Sequence, residues 1–123
     1  MSIKDTAQSI IKSINDGDTL TSVSLSAENF HEDTVKLVSV LVGKKLGGIY
    51  VTTSRPSSHI RAELEEAGAD LSDLYFVDLV SMTVGGNTSD ARTLFIESPT
   101  MLESILLNIT LLERRLKSKR RFV

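Results

Sequence analysis

A loop that cradles phosphate reads G-x-x-x-x-G-K-[ST] between a strand and a helix. Its glycines let backbone N–H groups wrap the anion, and its lysine neutralises charge. In this chain that spacing falls on Ala27, Glu32, Asp33 and Thr34, inside Ser26-Ala27-Glu28-Asn29-Phe30-His31-Glu32-Asp33-Thr34. Only the last hydroxyl residue matches. Ala27 is a mild replacement for the first glycine, Glu32 adds bulk and negative charge at the second, and Asp33 reverses the charge of the lysine. With Glu28, three carboxylates occupy a place meant for a polyanion. Two like charges about 4 Å apart repel by about 1 kcal/mol in water and several times that near a protein surface. The roughly half positive charge at a helix N-terminus is too small to offset them. Glu32 and Asp33 have an ordinary role instead, since acids stabilise a first helical turn. The cluster Glu28, His31, Glu32 is a poor metal signature, because one histidine and flexible acids do not fix a coordination geometry. No catalytic, cofactor-binding or metal-binding residue is expected here.

The elements that position this loop follow from hydrophobic spacing. Residues 2–15 read as an amphipathic helix on Ile3, Ala7, Ile10, Ile11 and Ile14, stopped by Asp16-Gly17-Asp18. A strand is expected near Leu20–Ser26, and a helix over about 32–45 on Val35, Leu37, Val38, Leu41 and Val42, ended by Gly47-Gly48. Ile49-Tyr50-Val51-Thr52-Thr53 reads as a strand. Pro56 and Gly68 bracket a helix of about 58–67, with proline near its start and glycine just past its end. Leu74 to Val80 is almost continuously apolar, as in a parallel strand covered on both faces. Residues 82–91, with Gly85-Gly86-Asn87, read as a flexible excursion, and Thr93 to Glu97 as a further strand. Ser98-Pro99-Thr100 opens a long helix to about residue 118. Met101, Leu102, Ile105, Leu106, Ile109, Leu112 and Leu116 give it a broad apolar face, which Leu107 and Leu111 widen. Such a helix should be heavily buried or pack against a partner. Arg121-Phe122-Val123 looks like the start of another strand, so the chain is expected to be part of a longer parent. Strands alternating with helices predict one α/β domain over 1–123, with an open, mostly parallel sheet flanked by helices.

Composition narrows the function classes. The 123 residues are 41% hydrophobic and 24% charged, the balance of one globular domain. There is no cysteine, so disulfides and thiolate metal sites are excluded. No run approaches the roughly 20 apolar residues of a membrane span, and the first residues lack a signal-peptide core, so a cytoplasmic location is expected. A net charge of −2 gives no general attraction to nucleic acid. Arg114, Arg115, Lys117, Lys119, Arg120 and Arg121 crowd the end of the chain. Without an aromatic stacking platform they read as cations favoured at a helix C-terminus.

Order and spacing over most of the chain resemble the N-terminal part of a RecA/KaiC-like P-loop ATPase core. The resemblance is carried by the helix from Val38, then Gly47-Gly48-Ile49-Tyr50-Val51, Arg55-Pro56, Glu66-Ala67-Gly68-Ala69-Asp70, Leu74-Tyr75-Phe76-Val77-Asp78 and Glu97-Ser98-Pro99-Thr100. It is closest to archaeal KaiC-like proteins with a degenerate phosphate loop. The resemblance implies a three-layer architecture. It also implies acidic, water-activating residues after the Ile49–Thr53 strand, where this chain has Ser54 and Arg55. Neither can act as a carboxylate base. Arg55 could hold an anion but reads more simply as a surface residue. Asp78 at a strand end could suggest a phosphoaccepting receiver domain. The acid pair and late-loop lysine of that site are missing, so Asp78 reads as a solvent-facing strand terminus. The expectation is a non-catalytic module that works through protein–protein contact or self-association, with no nucleic-acid or membrane partner. The alternative is a weak nucleotide-binding or ATPase domain, taking ATP and completed by further residues or by a neighbouring subunit.

Overall fold

The computed structural model describes residues 3–17, 22–24, 28–80, 93–95, 102–118 and 121–123. These form α1 (Ile3–Asn15), α2 (Phe30–Gly43), β1 (Gly47–Thr52), α3 (Ser57–Glu66), β2 (Leu74–Asp78), β3 (Thr93–Phe95), α4 (Leu102–Glu113) and β4 (Arg121–Phe122). The strands make one sheet in the order β3-β2-β1-β4, every neighbouring pair parallel. The α/β class and the parallel sheet flanked by helices are therefore as expected, and Arg121-Phe122 is a strand.

Alternation along the strands builds three layers. Leu74 and Phe76 pack on one face with Val35, Val38 and Val42 of α2 and Ile60 and Leu64 of α3, and half-buried Tyr50 joins them. Ile49 and Val77 point the other way, onto Leu112 and Leu116, with Ile105 and Ile109 of α4 beside them. α1 adds an outer cover, its Ala7 fully buried with Leu37, Leu41 and Leu46. The direction of travel explains the layering. The chain moves outward from β1 through α3 to β2, then returns from β3 through α4 to β4 on the far side of β1. A right-handed crossover travelling the opposite way lies on the opposite face of the sheet. No helix among the described residues is long and apolar enough to cross a membrane.

Two helix ends show how local chemistry fixes the frame. At α3, Gly68 has φ +79°, Gly68 N–H donates to Glu65 O and Ala69 N–H to Leu64 O. This Schellman closure is the role expected of that glycine. The end of α2 differs from expectation. It closes the same way with Lys45 at φ 63°, Lys45 N–H donating to Val42 O and Leu46 N–H to Leu41 O. Gly47 and Gly48 are thereby released to begin β1. Their value there is close approach, since a Cβ on Gly48 would overlap the Phe122 ring that pairs β4 to the sheet.

The strand expected near Leu20–Ser26 is described only at Ser22, Val23 and Ser24, which form no strand. Val23 is 38% exposed. A β-favouring sequence becomes a strand only where a ladder partner and a buried face await it, and β4 holds the start of the β1 edge. The excursion over 82–91 lies outside the described residues.

Candidate functional site

The sheet reverses its order between β1 and β4. In open α/β sheets, ligands gather at the carboxyl ends of the strands at such a switch point. A groove of about 780 Å³ lies there, with Phe30 and Thr34 of α2 on one wall and Thr52, Thr53 and Ser54 at the end of β1. The acid-rich segment singled out in the sequence leads into α2, which forms a wall of this groove.

Several polar groups of the region are committed within the protein. Glu28 is exposed, while Ala27 lies outside the described residues. Glu32 pairs with Lys36 one turn on, at 3.3 Å. Asp33 sits in the first turn of α2, its N–H donating to Asn29 O at 2.8 Å. Thr34, the one residue matching the motif, donates its hydroxyl to Phe30 O at 2.7 Å. His31 sets its ring edge-on to Phe30 at 5.6 Å.

At the end of β1 the buried Thr52 hydroxyl donates to Arg55 O at 2.6 Å and accepts from Arg55 N–H at 3.3 Å. This closes the loop into a tight turn. The Arg55 guanidinium then grips Glu63 of α3 through both nitrogens. The reading of Arg55 as plain surface is thus corrected: it is half-buried and bidentate. Hydrogen bonding to Glu63 raises the Arg55 pKa further, and the guanidinium in turn holds the Glu63 carboxyl below its ordinary range. Burial pushes the nearby Tyr50 phenol up. Arg121, which also lines the groove, spends its guanidinium on Ser118 O at 2.7 Å and Leu116 O at 3.3 Å. Arg121 of the terminal run thus serves carbonyls left open beyond the end of α4.

Asp78 overturns its reading as a solvent-facing terminus. It is fully buried. Its carboxylate accepts from Ser57 N–H, the first residue of α3, and from Val80 N–H, both at 2.8 Å. An anion at a helix N-terminus satisfies an orphan donor and the dipole together. The sequence hints at this, because an acid ending a parallel strand lies beside the start of the preceding crossover helix. Asp73 is a second acid with an unforeseen role. It accepts from Lys117 N–H at 2.9 Å and Ser118 N–H at 3.0 Å, tying the exit of α4 to the entry of β2. Only the long-range fold brings these partners together.

The groove thus offers apolar walls, the hydroxyls of Thr34 and Thr52 with partners already made, and one lining acid, Glu113. It has no positively charged cradle for a polyphosphate among the described residues. Comparison of the chain with known protein families, with curated proteins and with solved structures finds no match.

Proposed function

We propose that this chain is a non-catalytic module, a degenerate relative of RecA/KaiC-like domains, that works by binding protein. One observation carries the reading: at the switch point, where an α/β sheet would engage its ligand, three of the polar side chains bond to the protein itself. Glu32 goes to Lys36, Thr34 to its own helix and Arg55 to Glu63. A site evolved for chemistry keeps unpaired or strained groups facing its ligand. A scaffold evolved for docking keeps a rigid frame and a partner-ready apolar surface, and Leu106, Leu107 and Leu111 of α4 supply one.

The test is calorimetric titration of the chain with Mg-ATP. No binding is expected up to millimolar nucleotide, and micromolar affinity would remove the proposal. The location of the groove favours a second reading, a weak ATP-binding domain that needs a neighbouring subunit. The same titration at high protein concentration separates the two, since assembly would bring affinity with it.

A further inference from the structure

α4 has two apolar faces, and the fold uses one. At about 100° per residue, Ile105, Ile109 and Leu112 turn inward onto Ile49, Val77 and Leu79. Glu103, Leu106, Leu107, Thr110, Leu111 and Arg114 turn outward, and all six are exposed. Leu106 is 56%, Leu107 61% and Leu111 42% exposed. Single exposed leucines are ordinary, but three within two turns of one face mark a contact surface.

We propose that this face binds the same face of a second copy, with the two α4 helices antiparallel across a two-fold axis. The proposal rests on the protein-binding reading and names the partner. A two-fold axis level with Asn108 and Ile109 sets Leu106 against Leu111 of the second copy, Leu107 against Thr110, and Glu103 against Arg114. Every contact occurs twice, as an isologous interface requires. Charge selects the direction. Antiparallel packing places the first-turn Glu103 beside the Arg114 that follows the last turn. Parallel packing would oppose Glu103 to Glu103 and Arg114 to Arg114, and like charges at an interface are rejected. Neither side chain has an ion pair among the described residues, so both are free for this one.

The middle of the face is suited to burial. The Thr110 hydroxyl already donates to Leu106 O at 2.9 Å, so covering it orphans no donor. Its small size beside Leu107 lets the two helix axes approach. The face provides only the apolar centre of the roughly 800 Å² per partner that a standard interface buries, so the dimer is expected to be reversible, with monomer and dimer both present at micromolar concentrations.

Sedimentation velocity on the full chain from about 5 to 500 µM tests this. The expected result is a dimer fraction that rises with concentration. Leu107→Lys should leave only monomer. Glu103→Arg alone and Arg114→Glu alone should each weaken dimerisation about tenfold, and the two together should restore it to within about twofold. Circular dichroism on each variant verifies that the fold is kept. A wild-type chain that stays monomeric, a dimer indifferent to Leu107→Lys, or a double exchange that fails to restore association would each overturn the pairing. Those results leave the Mg-ATP titration untouched, so failure of the pairing is distinguishable from failure of the protein-binding reading.

Discussion

Asp78→Ala distinguishes a structural acid from a chemical one. The side chain is fully buried and accepts two backbone hydrogen bonds of 2.8 Å. One comes from Ser57, itself only 4% exposed. Deleting the carboxylate strands that donor away from water, at about 1–3 kcal/mol. The Val80 bond is partly buried and adds about 1 kcal/mol. Removing a cap and its charge from the start of α3 adds a further 0.5 kcal/mol or so. The expected total is about 2.5–4.5 kcal/mol, a large share of the 5–15 kcal/mol by which a domain is stable. Asp78→Asn keeps the shape and one acceptor and should lose about half as much. Urea unfolding followed by circular dichroism reads both. With a slope of about 1–3 kcal/mol per molar urea, the midpoint of the alanine variant should fall by at least about 1 M. A midpoint unchanged or raised would refute the reasoning. A buried acid whose removal stabilises the fold is the mark of a functional site, where stability is traded for activity.

Two further outcomes follow from the same geometry. Gly48→Ala should destabilise by about 1–3 kcal/mol, because its Cβ would overlap the Phe122 ring and force β4 off the sheet. In a Phe122→Ala background the same change should cost far less, which a double-mutant cycle in urea measures. Glu63→Gln tests the Arg55 clamp through pH. The Glu63 pKa is lowered in the folded chain, chiefly by its hydrogen bonds from Arg55, so the clamp contributes above the unfolded pKa near 4.5 and is lost as pH falls through the folded value. Both side chains reach solvent, at 21% and 39%, so the contribution stays below about 1 kcal/mol. The midpoint difference between wild type and Glu63→Gln should be constant near neutrality and shrink below about pH 4.5.

What the sequence disclosed, and what it withheld, divides by range. The periodicity of α1, the proline-to-glycine bracket of α3 and the apolar run of β2 are local signals, and each produced its element. Lys45 shows the limit of local rules. Gly47 and Gly48 looked like the natural stop for α2, but both belong to β1, where a Cβ on Gly48 would overlap the Phe122 ring and one on Gly47 the Asp73 carboxylate. Lys45 therefore adopts the left-handed conformation in their place. The acids that stand where a phosphate loop has glycine and lysine were legible in the sequence. That Thr34, Arg55 and Glu32 are each already engaged was not, because a hydrogen-bond partner is a property of the folded chain. Asp78 failed for the same reason: the donor that buries it against α3, Ser57, lies 21 residues earlier.

α4 joins these two kinds of information. Leucines at 106, 107 and 111 alongside isoleucines at 105 and 109 describe a helix apolar on more than one side. That pattern admits two solutions, burial between layers or an outer partner. α4 lies on the face of the sheet opposite α2 and α3, and only its inner side meets β1 and β2. A single chain has no further layer in the described residues to cover the outer side. Replacing those leucines with polar residues would cost the monomer little at Leu106 and Leu107 and would improve its solubility. Their presence beside Glu103 at one end and Arg114 at the other, neither in an ion pair among the described residues, fits the antiparallel two-fold contact proposed above.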